Sequence, residues 1–164
     1  MVFRSQRLSW PLRKGLSSVR VKARAKRRLF GRMLAMKPGM KGSLIVVVED
    51  DDSIRSSIAE ILEMEGYCVN AYPNGLAATE ALKRTEEPCL ILLDWMMPVM
   101  GGEAFLKARA ELSESNQRVP VVVLSAVSER AQGQPGVKSC LGKPVDLNRL
   151  LETVEKLCLS GKCA

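Results

Sequence analysis

Short runs of consecutive apolar residues, separated by amphipathic segments, constrain the fold of this chain more than any other feature. The clearest runs are Leu44–Val48, Cys89–Leu93 and Val119–Leu124, in which Val, Leu and Ile predominate. A run of this length without alternating polar residues is typical of a β-strand that is buried on both faces. Such strands belong to parallel sheets that are covered by helices on both sides.

Weaker strands and amphipathic helices fill the intervals between these runs. Tyr67–Tyr72 and Val137–Leu141 are two further strand candidates. Helices are predicted after the first strand, from Asn74 to about Arg84, over Gly101–Leu112 and over Asp146–Leu159. Alternating strands and helices with right-handed crossovers predict a doubly wound α/β fold. We expect a five-stranded parallel sheet of flavodoxin-like order 2-1-3-4-5, with helices on both faces.

Polar side chains follow four of the predicted strands, at the point where each strand ends. Glu49 and Asp50 come after the first strand and Asp94 after the third, whereas Ser125 and Lys143 follow the fourth and fifth. Ligand sites of open parallel sheets lie beyond the carboxyl ends of the strands. Because strands one and three are neighbours in the predicted order, we expect Glu49, Asp50 and Asp94 to converge in one pocket.

The residue types at these strand ends suit phosphoryl transfer. Three converging carboxylates repel one another unless a cation compensates their charge. Oxygen ligands in a partly open site favour Mg²⁺, which would also neutralise charge on an incoming phosphoryl group. Lys143 would pair with one phosphoryl oxygen, and Ser125 would donate a hydrogen bond to another. Asp94 is then placed to act as the nucleophile and form an aspartyl phosphate.

Residues 43–159 resemble the receiver domain of two-component response regulators. The matching stretches, in chain order, are VVVEDDDSIR, LILLDWMMPVMGGE, VVVLSA and LGKPVD. The resemblance implies that Asp94 is the phosphoacceptor, that Ser125 is the switch hydroxyl and that Lys143 is the lysine of the family motif. It also implies a cis peptide bond between Lys143 and Pro144.

The resemblance further implies a metal ion, a phosphoryl donor and a mode of output. Mg²⁺ would have Asp50, Asp94 and the backbone carbonyl of Met96 as direct ligands, with Glu49 acting through water. The donor would be a phospho-histidine on a histidine kinase or a histidine phosphotransfer protein. Because the sequence ends at Ala164, directly after the last predicted helix, we expect output by contact with a downstream protein or by phosphate relay. We also predict a cytoplasmic signalling protein that catalyses only its own phosphorylation and slow self-dephosphorylation.

Two departures from the family pattern affect signalling. The interval between Ser125 and Lys143 is shorter than is typical of the family, and Gln, Gly and Pro within Ser128–Gly136 disfavour a helix. We therefore predict that the helix between the fourth and fifth strands is shortened to one turn or a loop. Cys140 stands where the family usually has Tyr or Phe, so coupling between Ser125 and the output surface is expected to be weaker or different.

A third departure concerns hydrolysis of the aspartyl phosphate. Met96 and Val127 each lie two positions beyond a site residue and are apolar. Polar side chains at these positions help to orient a hydrolytic water in the family. We therefore predict slow self-dephosphorylation.

The net charge of +7 is divided unevenly along the chain. Residues 1–42 carry 13 of the 25 Lys and Arg residues and no acid, whereas the remaining residues carry all 18 Asp and Glu. Pro38, Gly39 and Gly42 mark a boundary between the two parts. We therefore predict a basic arm over 1–42, a receiver domain over 43–160 and a short tail over 161–164.

The arm has several interpretations. No regular structure would give it a strong apolar face, so it is predicted to be disordered or loosely helical. Its charge would suit binding to nucleic acid or to an anionic membrane, and its composition also resembles a transit peptide. The favoured interpretation is that the arm lies upstream of the true start, because translation from Met33, Met36 or Met40 would give an ordinary receiver beginning.

Other functional classes are excluded or left as alternatives. The chain has no His, which excludes a phospho-histidine carried by this chain, and no apolar run is long enough for a transmembrane helix. Five Cys without a CxxC pair argue against a disulfide scaffold or a structural zinc site. Four of them are predicted to be buried apolar fillers, namely Cys68, Cys89, Cys140 and Cys158.

Simpler interpretations of single motifs remain open. The run Glu49–Asp52 also suits the start of a helix, where the helix dipole favours acids. Trp95 would either line the mouth of the pocket or pack in the core. The alternative function is a binding module with a receiver fold whose partner contacts do not depend on phosphate.

Overall fold

The computed structural model describes residues 42–84, 88–126 and 130–160. Its five strands are all parallel and lie in the order β2-β1-β3-β4-β5, which confirms the predicted doubly wound topology. The strands are β1 (Leu44–Val48), β2 (Cys68–Tyr72), β3 (Leu90–Asp94), β4 (Val121–Ser125) and β5 (Val137–Gly142). The helices of the described part are α1 (Asp52–Met64), α2 (Gly75–Leu82), α3 (Gly102–Arg109), α4 (Glu114–Arg118) and α5 (Leu147–Ser160).

Some predictions concern residues outside the described part. The basic arm, apart from Gly42, and the tail over 161–164 belong to this group. Within the described ranges, no helix is both long enough and apolar enough to cross a membrane.

The apolar runs form the centre of the sheet, as their composition predicts. Every residue of β3 and β4 is buried, and so are the last four residues of β1. Alternate residues of β1 face two separate apolar clusters, since Ile45 and Val47 belong to one and Val46 and Val48 to the other. The first cluster includes buried residues of α1 and α5, and the second includes residues of α2 and α3. Both faces of the sheet are therefore covered by helices.

Polar side chains cap the helices that follow β1 and β2. The Asp51 carboxylate accepts hydrogen bonds from the backbone N–H groups of Ser53 and Ile54, both at 2.9 Å. The Asn74 side chain accepts one from the N–H of Ala77, also at 2.9 Å. These bonds satisfy donors that the first turn of a helix leaves without partners. The helix-start interpretation of the acidic run therefore holds for Asp51, while Glu49 and Asp50 lie before the cap.

The sequence did not predict the helix before β4, but it did predict the shortened connection after β4. The short helix α4 was not predicted; it begins after Ser113, whose side chain accepts a hydrogen bond from the N–H of Asn116. Between β4 and β5, the described residues 126 and 130–136 form no α-helix, which agrees with the predicted shortening. Gly133 and Gly136 both have φ of +81°, a backbone conformation that favours glycine over other residues.

Trp95, which follows β3, packs in the core. It is only 7% exposed and belongs to the second apolar cluster. A Cβ atom on Gly102 would lie 2.6 Å from Cε3 of the Trp95 ring, so glycine allows this close packing at the start of α3. Of the two interpretations of Trp95, the structure favours the packing role.

Gly75→Ala is expected to lower the free energy of unfolding by about 1–3 kcal/mol. A Cβ atom at this first residue of α2 would lie 2.8 Å from the carbonyl oxygen of Met100 and 3.0 Å from Cβ of Phe105. Gly142→Ala is the matched control, because its Cβ would have nothing within 4 Å, and a change below about 0.5 kcal/mol is expected. Urea unfolding measures both effects, and equal losses would contradict the steric argument.

Candidate functional site

The candidate site lies at the carboxyl ends of β1, β3, β4 and β5. Backbone hydrogen bonds extend the strand pairing beyond the strands and hold the site residues in place. The N–H of Glu49 donates to the carbonyl of Tyr72 at 3.1 Å, and the N–H of Lys143 donates to the carbonyl of Ser125 at 3.2 Å. Asp94 is itself the last residue of β3, in register with Leu124 of β4. The sheet thus brings the residues that the sequence analysis assigned to strand ends to the same edge.

Lys143 bridges two buried carboxylates. Its Nζ lies 2.9 Å from Oε2 of Glu49 and 2.9 Å from Oδ2 of Asp94. The side chains of Glu49 and Asp94 are 1% and 5% exposed, whereas that of Lys143 is 24% exposed. A buried carboxylate requires a charged or hydrogen-bonding partner, and Lys143 provides one for both acids.

Asp50 adds a third carboxylate at the exposed side of this pair. One carboxylate oxygen from each of Glu49, Asp50 and Asp94 lies within 4.8 Å of the other two. Three acids beside a single lysine leave an excess of negative charge, and their donors are all oxygen atoms. This donor set fits a hard divalent cation such as Mg²⁺, which prefers carboxylate and water oxygens.

Burial and hydrogen bonding act in opposite directions on the pKa of Glu49, and also on the pKa of Lys143. Burial raises the pKa of Glu49 and the nearby charge of Asp94 adds to this, although the hydrogen bond from Lys143 opposes both. Burial by itself lowers the pKa of Lys143, but its hydrogen bonds to Glu49 and Asp94 outweigh this and raise its pKa overall. Lys143 is therefore held in its charged form, while ionised Glu49 is under electrostatic strain in the metal-free protein.

The raised pKa of Glu49 predicts how stability depends on pH. In the metal-free protein the folded state holds the Glu49 proton more tightly than the unfolded state does. The pKa of Glu49 in the unfolded state is near 4.5. The stabilisation from this proton is complete below pH 4.5 and is lost as pH rises through the folded pKa. As pH rises through this window, the free energy of unfolding of the wild-type protein should therefore fall relative to that of Glu49→Gln. Urea unfolding in a chelator at several pH values measures the difference, and a relative gain by wild type would contradict it.

The remaining predicted site residues are placed as follows. Ser125 is 1% exposed at the end of β4, next to the predicted acceptor strand. The backbone N–H of Met96 donates to Oδ1 of Asp94 at 3.2 Å, and Met96 as a whole is 68% exposed. Cys140 is partly buried against the second apolar cluster. The peptide bond between Lys143 and Pro144 is cis, as the family resemblance implies. Val127 lies outside the described residues.

Arg55 of α1 is a site residue that the sequence analysis missed. Its Nη1 donates to the backbone carbonyls of Glu49 at 2.8 Å and Asp50 at 3.2 Å, and its Nη2 pairs with Asp52. These contacts hold the loop that presents the acidic pair. The three-residue spacing between Asp52 and Arg55 on a predicted helix was the signal for the ion pair, but the contacts with backbone carbonyls depend on the path of the loop before α1.

Comparisons with known proteins agree with this geometry. Residues 45–155 match the family model described as the response regulator receiver domain. The response regulator MprA of Mycobacterium leprae is 34% identical over 117 residues, which are 69% of this chain and 50% of MprA. An uncharacterized 14.6 kDa protein of Leptolyngbya boryana is 33% identical over 120 residues, or 71% of this chain and 90% of that protein. This chain spans about half the length of the first curated relatives it matches.

A solved structure extends the comparison to the metal site. The receiver domain of the sensor histidine kinase PA1611 from Pseudomonas aeruginosa PAO1 has a magnesium ion coordinated in its active-site cleft. It is 27% identical in sequence and matches with a TM-score of 0.64 over 71% of this chain and 98% of that domain. Both chains therefore share the fold whose strand ends form such a cleft.

Proposed function

This chain belongs to the family of response regulator receiver domains, and from that premise we propose that it is a phosphoacceptor in a two-component phosphorelay. It takes a phosphoryl group from a phospho-histidine of a histidine kinase or a histidine phosphotransfer protein onto Asp94. The observation that carries the proposal is the contact of Lys143 Nζ with Asp94 and Glu49, at 2.9 Å from each carboxylate. A lysine beside the acceptor supplies the positive charge that phosphoryl transfer requires.

Asp94 is the proposed nucleophile. One of its carboxylate oxygens attacks phosphorus and forms the P–O bond, while the P–N bond of the phospho-histidine breaks and the imidazole leaves. Lys143 keeps a hydrogen bond to a phosphoryl oxygen, and the Ser125 hydroxyl donates to another. The N–H of Met96 already donates to Oδ1 of Asp94 at 3.2 Å, and this bond orients the carboxylate.

We propose that the acidic cluster holds Mg²⁺. Asp50, Asp94 and the backbone carbonyl of Met96 are the proposed direct ligands, and Glu49 acts through water. When bound, the ion offsets the negative charge of the acids and of the incoming phosphoryl group. The support for this proposal is the convergence of three carboxylate oxygens within 4.8 Å at a partly exposed cleft.

Phosphorylation is proposed to act on a downstream protein through a change of conformation. Ser125 moves toward the phosphoryl group, and the loops that follow β4 and β5 respond. Cys140 is only partly buried and is smaller than an aromatic residue, so the coupling between Ser125 and the output surface is expected to be weaker or different. We further propose slow self-dephosphorylation, because the exposed apolar side chain of Met96 beside Asp94 does not orient a hydrolytic water.

The test is the intact mass of the full chain after incubation with acetyl phosphate and Mg²⁺. We expect an increase of about 80 Da, one phosphoryl group, and no increase when a chelator removes the metal. Where acetyl phosphate fails, a phosphorylated histidine kinase replaces it as the donor. Failure with both donors would overturn the proposal in favour of a phosphate-independent binding module.

A further inference from the structure

Two cysteines that are far apart in sequence meet at the end of the sheet opposite the candidate site. Cys89 directly precedes β3, and Cys158 lies in the last part of α5. Their Sγ atoms are 2.7 Å apart, although 69 positions separate the two residues in the chain. The bond in a disulfide is about 2.05 Å long, so the two thiols are already in direct contact.

The surroundings hold this contact in place. Cys89 is 7% exposed, and its N–H donates to the carbonyl of Leu44 at 2.7 Å, which extends the pairing of β3 with β1. Cys158 is partly buried against the first apolar cluster. The cluster also contains Leu150, Leu151 and Val154 of the same helix, all of them buried. Neither sulfur therefore needs a change of fold to reach the other.

We propose that Cys89 and Cys158 form a reversible disulfide that joins the end of α5 to the start of β3. The oxidant is a hydroperoxide. The pairing is specific among the cysteines of the described part, because Cys68 is exposed on β2 and Cys140 packs on the opposite face of the sheet.

The chemistry proceeds in two steps that balance. The more exposed Cys158 passes its thiol proton to the Cys89 sulfur beside it and attacks the terminal peroxide oxygen. The O–O bond breaks and the departing oxygen takes that proton from Cys89, which leaves a sulfenic acid on Cys158 and a thiolate on Cys89. The Cys89 thiolate then attacks that sulfur, the S–S bond forms, and hydroxide leaves and is protonated to water. Two thiols are oxidised by two electrons, and the peroxide is reduced to water and an alcohol, or to two waters for hydrogen peroxide.

The roles of the two cysteines follow from their environments. Cys158 is the more accessible to a small oxidant, whereas burial protects Cys89 from over-oxidation. The hydrogen bond from Cys158 lowers the pKa of the Cys89 thiol, and burial opposes this only in part. A thiolate is the reactive form in both steps.

The disulfide would tie the more exposed last turn of α5 to the sheet. Leu150 and Val154 are almost completely buried, whereas Leu159, next to Cys158, is 42% exposed. A covalent link at Cys158 closes a long loop and constrains the unfolded chain. We expect the oxidised protein to melt at least about 5 °C above the reduced protein.

The experiment uses the full chain, fully reduced and then treated with a small excess of hydrogen peroxide. The number of free thiols in the denatured protein should fall from five to three, with a mass decrease of about 2 Da that a reductant reverses. A proteolytic digest should contain a linked pair of peptides that carry Cys89 and Cys158. Five remaining thiols, a linkage through Cys163 or another cysteine, or a disulfide between two chains would overturn the proposal.

Matched variants separate the pair from the other cysteines. Cys89→Ser and Cys158→Ser should each lose the mass decrease and the rise in melting temperature. Cys68→Ser is the control, because Cys68 is exposed, and it should still lose two thiols on oxidation. If the Cys89 variant does not fold, the linked peptides in the digest of the wild-type protein still test the pairing. The result is independent of the proposed phosphorylation, because Asp94 lies at the other end of β3.

Discussion

Replacing Asp94 by asparagine is expected to reduce phosphoryl incorporation from acetyl phosphate by at least about 1,000-fold. The amide keeps the size of the carboxylate and can still accept the hydrogen bond from the N–H of Met96. It lacks the anionic oxygen that attacks phosphorus, so the loss is a loss of the nucleophile. Intact mass after incubation with the donor and Mg²⁺ measures the effect.

A matched acidic residue near the cleft provides the control for Asp94→Asn. Asp52 lies in the first turn of α1, is exposed and pairs with Arg55 outside the three-acid cluster. Asp52→Asn should therefore incorporate phosphate at nearly the wild-type rate. Equal incorporation by wild type and by Asp94→Asn would show that another residue accepts the phosphoryl group.

Lys143→Met is expected to lower the free energy of unfolding by about 2–3 kcal/mol at neutral pH in the absence of metal. Removing one partner of a buried ion pair costs about 3–5 kcal/mol, and the partial exposure of Lys143 reduces this because water reaches the site. The variant leaves the buried carboxylates of Glu49 and Asp94 without the cation that contacts both. Urea unfolding in a chelator measures the loss.

The ionisation of Lys143 gives this prediction a distinctive pH dependence. The pKa of Lys143 is raised above 10.5, so its stabilising contribution is complete below that pH and is lost as pH rises through the folded value. The difference between wild type and Lys143→Met should therefore shrink in strongly alkaline solution. Lys138→Met is the control, because Lys138 is exposed on β5, and its change should stay below about 0.5 kcal/mol at every pH. Equal losses in the two variants would contradict the bridging role.

The connection between β4 and β5 is one place where the sequence predicts a departure from the family pattern. Its described residues form no α-helix, and Cys140 lies on β5 where the family resemblance implies an aromatic residue. The surface that a phosphorylated receiver presents to a partner is therefore expected to differ here from that of its relatives.

The sequence by itself determined the sheet and the residues that follow its strands at the carboxyl edge. Apolar runs such as Leu44–Val48 have no polar face, and a double-sided parallel sheet is the fold that buries them. Once the strands are parallel, residues that directly follow them meet at one edge, so Asp94 and Lys143 were identifiable as site residues before any contact was known. The resemblance to the receiver family assigned their roles.

Other features were decided only by tertiary structure, because they depend on contacts between distant segments. In the acidic run, local hydrogen bonds make Asp51 the cap of α1, whereas only the pairing of β1 with β3 brings Asp50 close to Asp94. The prediction that four cysteines are buried holds for Cys89, but Cys140 and Cys158 are only partly buried. It was wrong for Cys68, which is exposed on the edge strand β2. The contact between Cys89 and Cys158 arises because α5 returns across the sheet to the start of β3. Local sequence patterns do not predict such a contact, because it depends on the register of the strands and on the path of the chain between them.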